Sequence, residues 1–236
     1  MTTTAPALPE IVDRDTWEQR RQDHLEREKA WTRLGDEVSA ARRRLPMTPM
    51  PAYTFDGPDG PVTLLELFAG RRQLIVQNFM FDPAWDAGCP SCSNLADNVP
   101  HLAHFGPYDI AWARISAAPV EKLTAYSRRM GWTVPWVSSG NSGYNRDWGW
   151  TRDDGEYPGV SFYVRDGQDV YLTFATEGRG VEPLSALAGY LDRTVWGRQK
   201  DWEDSPPGWP QTESFMRNRR HDEYDGAGEP GGQATR

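Results

Sequence analysis

Gln73-Leu-Ile-Val-Gln-Asn-Phe-Met-Phe81, followed after seven residues by Cys89-Pro-Ser-Cys92, decides how this chain is read. The first stretch is a compact apolar run bounded by Arg71-Arg72 and by Asp82-Pro83, the pattern of a strand buried on both faces. The second sets two cysteines three apart where a helix is expected to begin and to run through Leu95 and His101. At a helix start the backbone N–H groups are unpaired and the macrodipole is positive. Both favour a thiolate, so the first thiol should titrate below the free value of about 8.5. The second thiol, about one turn in, is near enough to resolve a mixed disulfide. Cys89 is therefore the candidate nucleophile and Cys92 the candidate resolving thiol. Pro90 sits where a missing N–H costs least, and the Ser91 hydroxyl is a candidate donor to the Cys89 sulfur.

Outward from that stretch the pattern continues. Asp109-Ile-Ala-Trp-Ala-Arg-Ile-Ser116 reads as a second buried strand, and Val120 to Met130 as an amphipathic helix after Pro119. Thr133 to Val137 is extended. Val160 to Val164 and Val170 to Phe174 alternate and are joined by Arg165-Asp-Gly-Gln168, a hairpin signal. Pro183 to Leu191 reads as a closing helix. Upstream, Asp56-Gly57 and Asp59-Gly60 mark turns between short strands, and Leu64 to Phe68 a helical turn. A βαβ unit followed by ββα, with Cys-x-x-Cys after the first strand, predicts an α/β, thioredoxin-like fold: a central mixed sheet flanked by helices. The expected organisation is a loose arm over 1–12, an N-terminal helix over 13–45, the thioredoxin-like domain over 46–200, and a C-terminal tail over 201–236 that ends in a disordered Gly-Pro-Gly-Gly stretch.

Composition narrows the function classes. Two cysteines among 236 residues cannot form a disulfide-rich scaffold. A net charge of −8 gives no general attraction to nucleic acid or to an anionic membrane. The N-terminus has neither a basic start nor an apolar run, and no stretch approaches the roughly 20 apolar residues of a membrane span. A cytoplasmic protein in a reducing compartment is expected, where a close cysteine pair points to redox chemistry or metal binding. The helix over 13–45 carries nine acidic and nine basic residues with its arm, and an apolar stripe of Trp31, Leu34, Val38, Ala41 and Leu45. At about 1.5 Å per residue it is long enough to lie along the core or to meet a second copy, so a homodimer through this helix is an expected partner arrangement.

The leading reading is a thiol–disulfide oxidoreductase acting on a small-molecule or protein thiol or disulfide, with no cofactor required. The alternative is a copper protein or copper-dependent oxidase, since soft thiolates select Cu(I). Cys89 and Cys92 would then be ligands, with His104 as a distant third. Zinc is a weak fit, because Cys-x2-Cys-x8-His-x2-His is too short for a zinc-finger spacing. The further alternative is a non-catalytic dimeric interaction module. Peroxide chemistry of the peroxiredoxin type is disfavoured: the threonine such a site needs three residues before its cysteine is Asp86 here. Candidate substrate-binding residues are Trp136, Arg146, Trp148 and Pro158. The tryptophans serve equally as core aromatics, and Pro158 stands one residue off the place of a cis-proline opposite the cysteines. His221-Asp-Glu-Tyr224 reads as a tail anchor.

The chain resembles a known family at Arg43-Arg-Leu-Pro-Met, Leu67-Phe-Ala-Gly-Arg-Arg-Gln-Leu-Ile-Val, Phe79-Met-Phe, Gly88-Cys-Pro-Ser-Cys-Ser, Met130-Gly-Trp, Pro135-Trp-Val-Ser-Ser, Leu191-Asp, Gly197-Arg-Gln and His221-Asp-Glu-Tyr. On these motifs it is similar to the thioredoxin-like bacterial family catalogued as domain of unknown function 899. The resemblance implies a thioredoxin-like fold and, by analogy, thiol–disulfide chemistry. Two positions depart from the family's pattern. Asn78 stands where members carry His, and Ser116-Ala-Ala-Pro119 where they read Ser-Arg-Ala-Pro. With the altered stretch Asn141 to Trp150, these departures imply a specialised member with its own small sulfur-containing substrate.

Overall fold

A computed structural model of the chain describes residues 7–214 and 217–224. The expected disordered end therefore lies outside the described residues. The described residues form two compact units, one of residues 47–190 with 217–224 and one of residues 7–46 with 191–214.

In chain order the elements are α1 (Arg14–Arg42), β1 (Thr48–Pro49), β2 (Thr54–Gly57), β3 (Gly60–Thr63), β4 (Gln73–Asn78), α2 (Pro90–Asp97), β5 (Ile110–Ser116), α3 (Val120–Arg129), β6 (Trp136–Ser138), α4 (Tyr144–Asp147), β7 (Thr151–Arg152), β8 (Gly155–Glu156), β9 (Gly159–Asp166), β10 (Asp169–Glu177) and α5 (Ala186–Leu191). Eight strands form one sheet in the order β1-β10-β9-β4-β5-β6-β2-β3, and β7 and β8 pair separately. The apolar run occupies the centre: β4 is parallel to β5 and antiparallel to β9. Connection β4-α2-β5 is a parallel βαβ unit, α3 carries the chain to β6, parallel to β5, and β9–β10 is the antiparallel hairpin. This is the thioredoxin-like arrangement, with the cysteine pair at the carboxyl end of the central strand.

Two apolar clusters fill this unit. One holds Phe55, Phe68, Leu74, Val76, Tyr144 and Tyr163. The other holds Phe79, Phe81, Cys92, Leu123, Tyr126 and Trp136. Burying side chains of this size contributes about 1.5–3 kcal/mol each before the entropy of ordering is subtracted.

Helix α2 ends sooner than the spacing suggested. Asn98 Nδ2 donates to Asn94 O at 2.7 Å, and Pro100 disfavours helix at Val99. His101 caps a separate 3₁₀ turn over Leu102–Tyr108, so His101 and His104 do not continue the cysteine helix. In the other unit, α1 starts at an Asp13 cap whose carboxylate accepts from Thr16 N at 2.9 Å. It buries none of its residues, and Trp31 of the expected stripe is 72% exposed. Ala7 O accepts from Trp196 Nε1 at 3.1 Å within this unit. No helix among the described residues is long and apolar enough to cross a membrane.

Candidate redox site

The backbone sets the cysteine turn. Cys89 N donates to Met80 O at 3.1 Å, tying the turn back to the chain leaving β4. Cys89 is the N-cap of α2, in non-helical backbone, and Pro90 is its first helical residue. Ser93 closes the first turn twice, its N–H and its hydroxyl each donating to Cys89 O at 2.9 Å. That hydroxyl also meets the Tyr126 phenol from α3 at 2.9 Å. Beneath the helix, Gln77 Nε2 donates to Cys92 O at 2.9 Å, and buried Arg114 donates through Nε to Gln77 Oε1 at 3.0 Å. A central-strand side chain thus fixes the carbonyl of the second cysteine.

The two thiols are free, Cys89 half-buried and Cys92 buried. Their environments drive their titrations apart. Cys89 is lowered to about 6, chiefly because the Cys92 thiol donates a hydrogen bond to its sulfur. The backbone N–H groups of Cys92 and Ser91 and the charge of Arg220 act in the same direction, while burial opposes them. Cys92 is pushed well above the ordinary thiol range by that same hydrogen bond and by burial. A thiolate at the cap and a protonated thiol one turn in are the assignments a nucleophile and a resolving thiol need.

Ser91 serves differently from expectation. Its hydroxyl accepts from Asn218 Nδ2 at 2.8 Å, and what it gives Cys89 is its backbone N–H. Asn218 belongs to a segment that the sequence offered only as a charged tail. There Arg220 donates to Gly88 O through Nε at 2.9 Å and Nη2 at 2.7 Å. Its Nη1 pairs with Glu223 at 2.6 Å. His221 Nδ1 lies 2.9 Å from Asp97 at the end of α2, and Arg129 of α3 pairs with Asp222 at 2.6 Å. The His221–Tyr224 segment is an anchor, as its composition suggested, and it delivers Arg220 to the cysteines. Cys89 opens on a cavity of about 590 Å³ lined by Ala84, Trp85, Asp86, Ala87, Pro90 and Arg220. Lys122 of α3 steadies its rim by donating to Pro83 O and Trp85 O, each at 2.8 Å.

The other candidates are dispersed. Trp136 is a core residue, 5% exposed, stacked among Phe79, Phe81 and Trp132 and donating its indole N–H to Ser116 Oγ at 3.0 Å. It lines no groove. Trp148 is half-buried and donates to the Tyr53 hydroxyl at 3.1 Å. Arg146 is exposed on α4. Pro158 immediately precedes β9, whose Gly159 pairs with Asn78, so it lies beside the end of the central strand. No described peptide bond is cis, so of the two readings open for Pro158 the structure has the ordinary trans loop proline. His104 is not gathered with the cysteines: among the described residues no group of three or more His, Cys, Asp or Glu side chains is placed to hold a metal. Asn78, where the family's His was expected, is buried and hydrogen-bonded at both its nitrogen and its oxygen. Its amide donates to Ser161 Oγ at 2.8 Å, and its oxygen accepts from the Tyr144 hydroxyl at 3.0 Å.

Among solved structures the chain is similar to a peroxidoxin, BcpB, from Mycobacterium tuberculosis, at 18% identity and a TM-score of 0.46 over 56% of this chain and 85% of that one. It is also similar to the bacterioferritin comigratory protein of Xanthomonas campestris, at 16% identity and a TM-score of 0.43 over 58% of this chain and 90% of that one. No curated protein matches the chain. The model of one family, described as bacterial protein of unknown function (DUF899), matches residues 6–224. With a match over nearly its whole length, the chain belongs to the DUF899 family of bacterial proteins.

Proposed function

We propose that the chain is a thiol–disulfide oxidoreductase in which Cys89 attacks and Cys92 resolves. The observation that carries this reading is the cap position of Cys89, where the Cys92 thiol and two backbone N–H groups hold its sulfur as thiolate near neutral pH. The Cys89 thiolate attacks one sulfur of a disulfide R–S–S–R′, forming Cys89–S–S–R and expelling R′S⁻. Cys92 then gives up its proton and attacks the Cys89 sulfur. The Cys89–Cys92 disulfide forms and RS⁻ leaves, so the pair loses two electrons and the substrate gains them. An external dithiol resets the pair, and with an oxidised pair the same steps run in reverse. The open cavity at Cys89 supports a small or extended sulfur-containing substrate.

The test uses reduced protein and bis(2-hydroxyethyl) disulfide. Wild type should form the internal disulfide. Cys92→Ser should accumulate a mixed disulfide at Cys89, seen by mass spectrometry, and Cys89→Ser should do neither. Equal rates of disulfide consumption by wild type and Cys89→Ser would sink the reading.

A further inference from the structure

The segment Asn218–Tyr224 grips the cysteine turn on both sides of the nucleophile. Arg220 holds the carbonyl of Gly88, the residue before Cys89, with two of its nitrogens. Asn218 holds the hydroxyl of Ser91, between the two cysteines. Arg220 and Cys89 line one cavity. The Arg220 side chain is 18% exposed, so its charge is only partly screened by solvent. Glu223 sits against it at 2.6 Å and also meets Arg129 at 3.4 Å. A second strut, Arg129 with Asp222, and a third, His221 with Asp97, hold the segment to α3 and α2.

We propose that this strap is part of the redox site, with Arg220 as a positioning residue that stabilises the reduced cysteine pair and Glu223 as the counter-charge that limits it. The proposal rests on the oxidoreductase reading. Oxidation converts one thiolate and one thiol into an uncharged disulfide, releasing one proton and two electrons. A cation beside Cys89 therefore favours the reduced form alone and makes the pair more oxidising. An anion paired with that cation subtracts from the effect. The two residues thus act with opposite sign, which a merely structural role of the strap would not produce.

The test is the reduction potential of the Cys89–Cys92 pair. The full-length protein is equilibrated with mixtures of reduced and oxidised glutathione at neutral pH, and free thiols are trapped and counted by mass. Arg220→Gln is expected to make the pair more reducing by roughly three- to tenfold in its thiol–disulfide equilibrium constant, about 15–30 mV. Glu223→Gln, which keeps an oxygen to accept from the Arg220 backbone, is expected to shift it the other way. Any other pattern overturns the proposal, including an unmoved potential in R220Q or shifts of one sign in both variants. If R220Q does not fold, the E223Q arm decides alone, and a potential unmoved or more reducing overturns it. A wild-type pair that forms no disulfide at all defeats the oxidoreductase reading itself. A pair that forms one with potentials unmoved by both variants defeats only the role of the strap.

Discussion

Replacing Cys92 by Ala tests the poise of the Cys89 thiol, because the Cys92 thiol is the largest contributor to its low titration point. A hydrogen bond to a charged group is worth about 1.5–3 kcal/mol, and one pKa unit is about 1.4 kcal/mol, so its loss should move Cys89 up by about 1–2 units. The midpoint, about 6 in the wild type, should then fall at about 7–8. At pH 7 the thiolate fraction drops from about nine-tenths to between about one-tenth and one-half. Each thiolate meanwhile becomes more nucleophilic, by about three- to eightfold for a Brønsted slope near 0.45. The two changes nearly cancel, so a single rate at neutral pH is almost silent. The informative assay is iodoacetamide alkylation of the reduced protein across roughly pH 4 to 10, with Cys92 of the wild type too buried and too firmly protonated to compete. Cys92→Ala should show a higher midpoint and a higher alkaline plateau. Cys92→Ser, which retains a hydroxyl donor, should stay nearer the wild type. A midpoint still near 6 in Cys92→Ala would refute the argument, since the backbone donors and Arg220 would then suffice.

The same titrations give a stability profile for the reduced protein. Between about 6 and the ordinary thiol range near 9 the unfolded chain binds more protons at Cys89 than the folded one, so stability rises with pH. Above that range the folded chain keeps the Cys92 proton that the unfolded chain loses, and stability falls. The melting temperature of reduced wild type relative to the Cys89→Ser/Cys92→Ser double variant should therefore peak near the free-thiol pKa, and a flat difference would contradict the separation of the two thiols. Gly88→Ala should cost about 1–3 kcal/mol, since a Cβ there would stand 2.5 Å from Phe79 Cε1 and 3.1 Å from Tyr126 Cε1, rings packed in the core. Urea unfolding measures it, and an unchanged midpoint would show that those rings can yield. Tyr144→Phe removes the hydroxyl bonded to Asn78 and to Tyr163, leaving a buried amide oxygen without that donor, at about 1–3 kcal/mol in the same experiment. A loss below about 0.5 kcal/mol would mean another group takes up the bond.

What could be read from the chain follows the range of the interactions involved. The run 73–81, the cysteines and the 160–174 hairpin announce themselves because burial on both faces and tight turns are local demands on residue type. The placement of Cys89 at a helix start with Cys92 about one turn in was legible for the same reason: both are local geometry. Arg220 was not, because its contact with Gly88 spans 132 residues, and a basic residue in a charged stretch carries no mark of where it will dock. Nor did the residue type settle Trp136, since an indole suits a core and a groove equally, and only the packing around Phe79 assigns it to the core. The helix through His101 was overextended because the capping amide of Asn98 and the break at Pro100 weigh more than the histidine spacing. Asn78 looked like a lost histidine; in the fold it is a hydrogen-bonded hub between two strands and α4.

The distance between Gly88 and Arg220 also has a consequence for how the protein is made. At about 5–20 residues per second, the arginine leaves the ribosome roughly 7–26 s after the turn it clasps. Through that interval the central strand, the cysteines and the helix below them exist as nascent chain while the clasp does not. The cysteine turn thus emerges before the guanidinium that clasps Gly88 and the carboxylate paired with it. The hydrogen bonds to Gly88 and Ser91 form only when the last-made part of the described chain reaches one of its earlier parts.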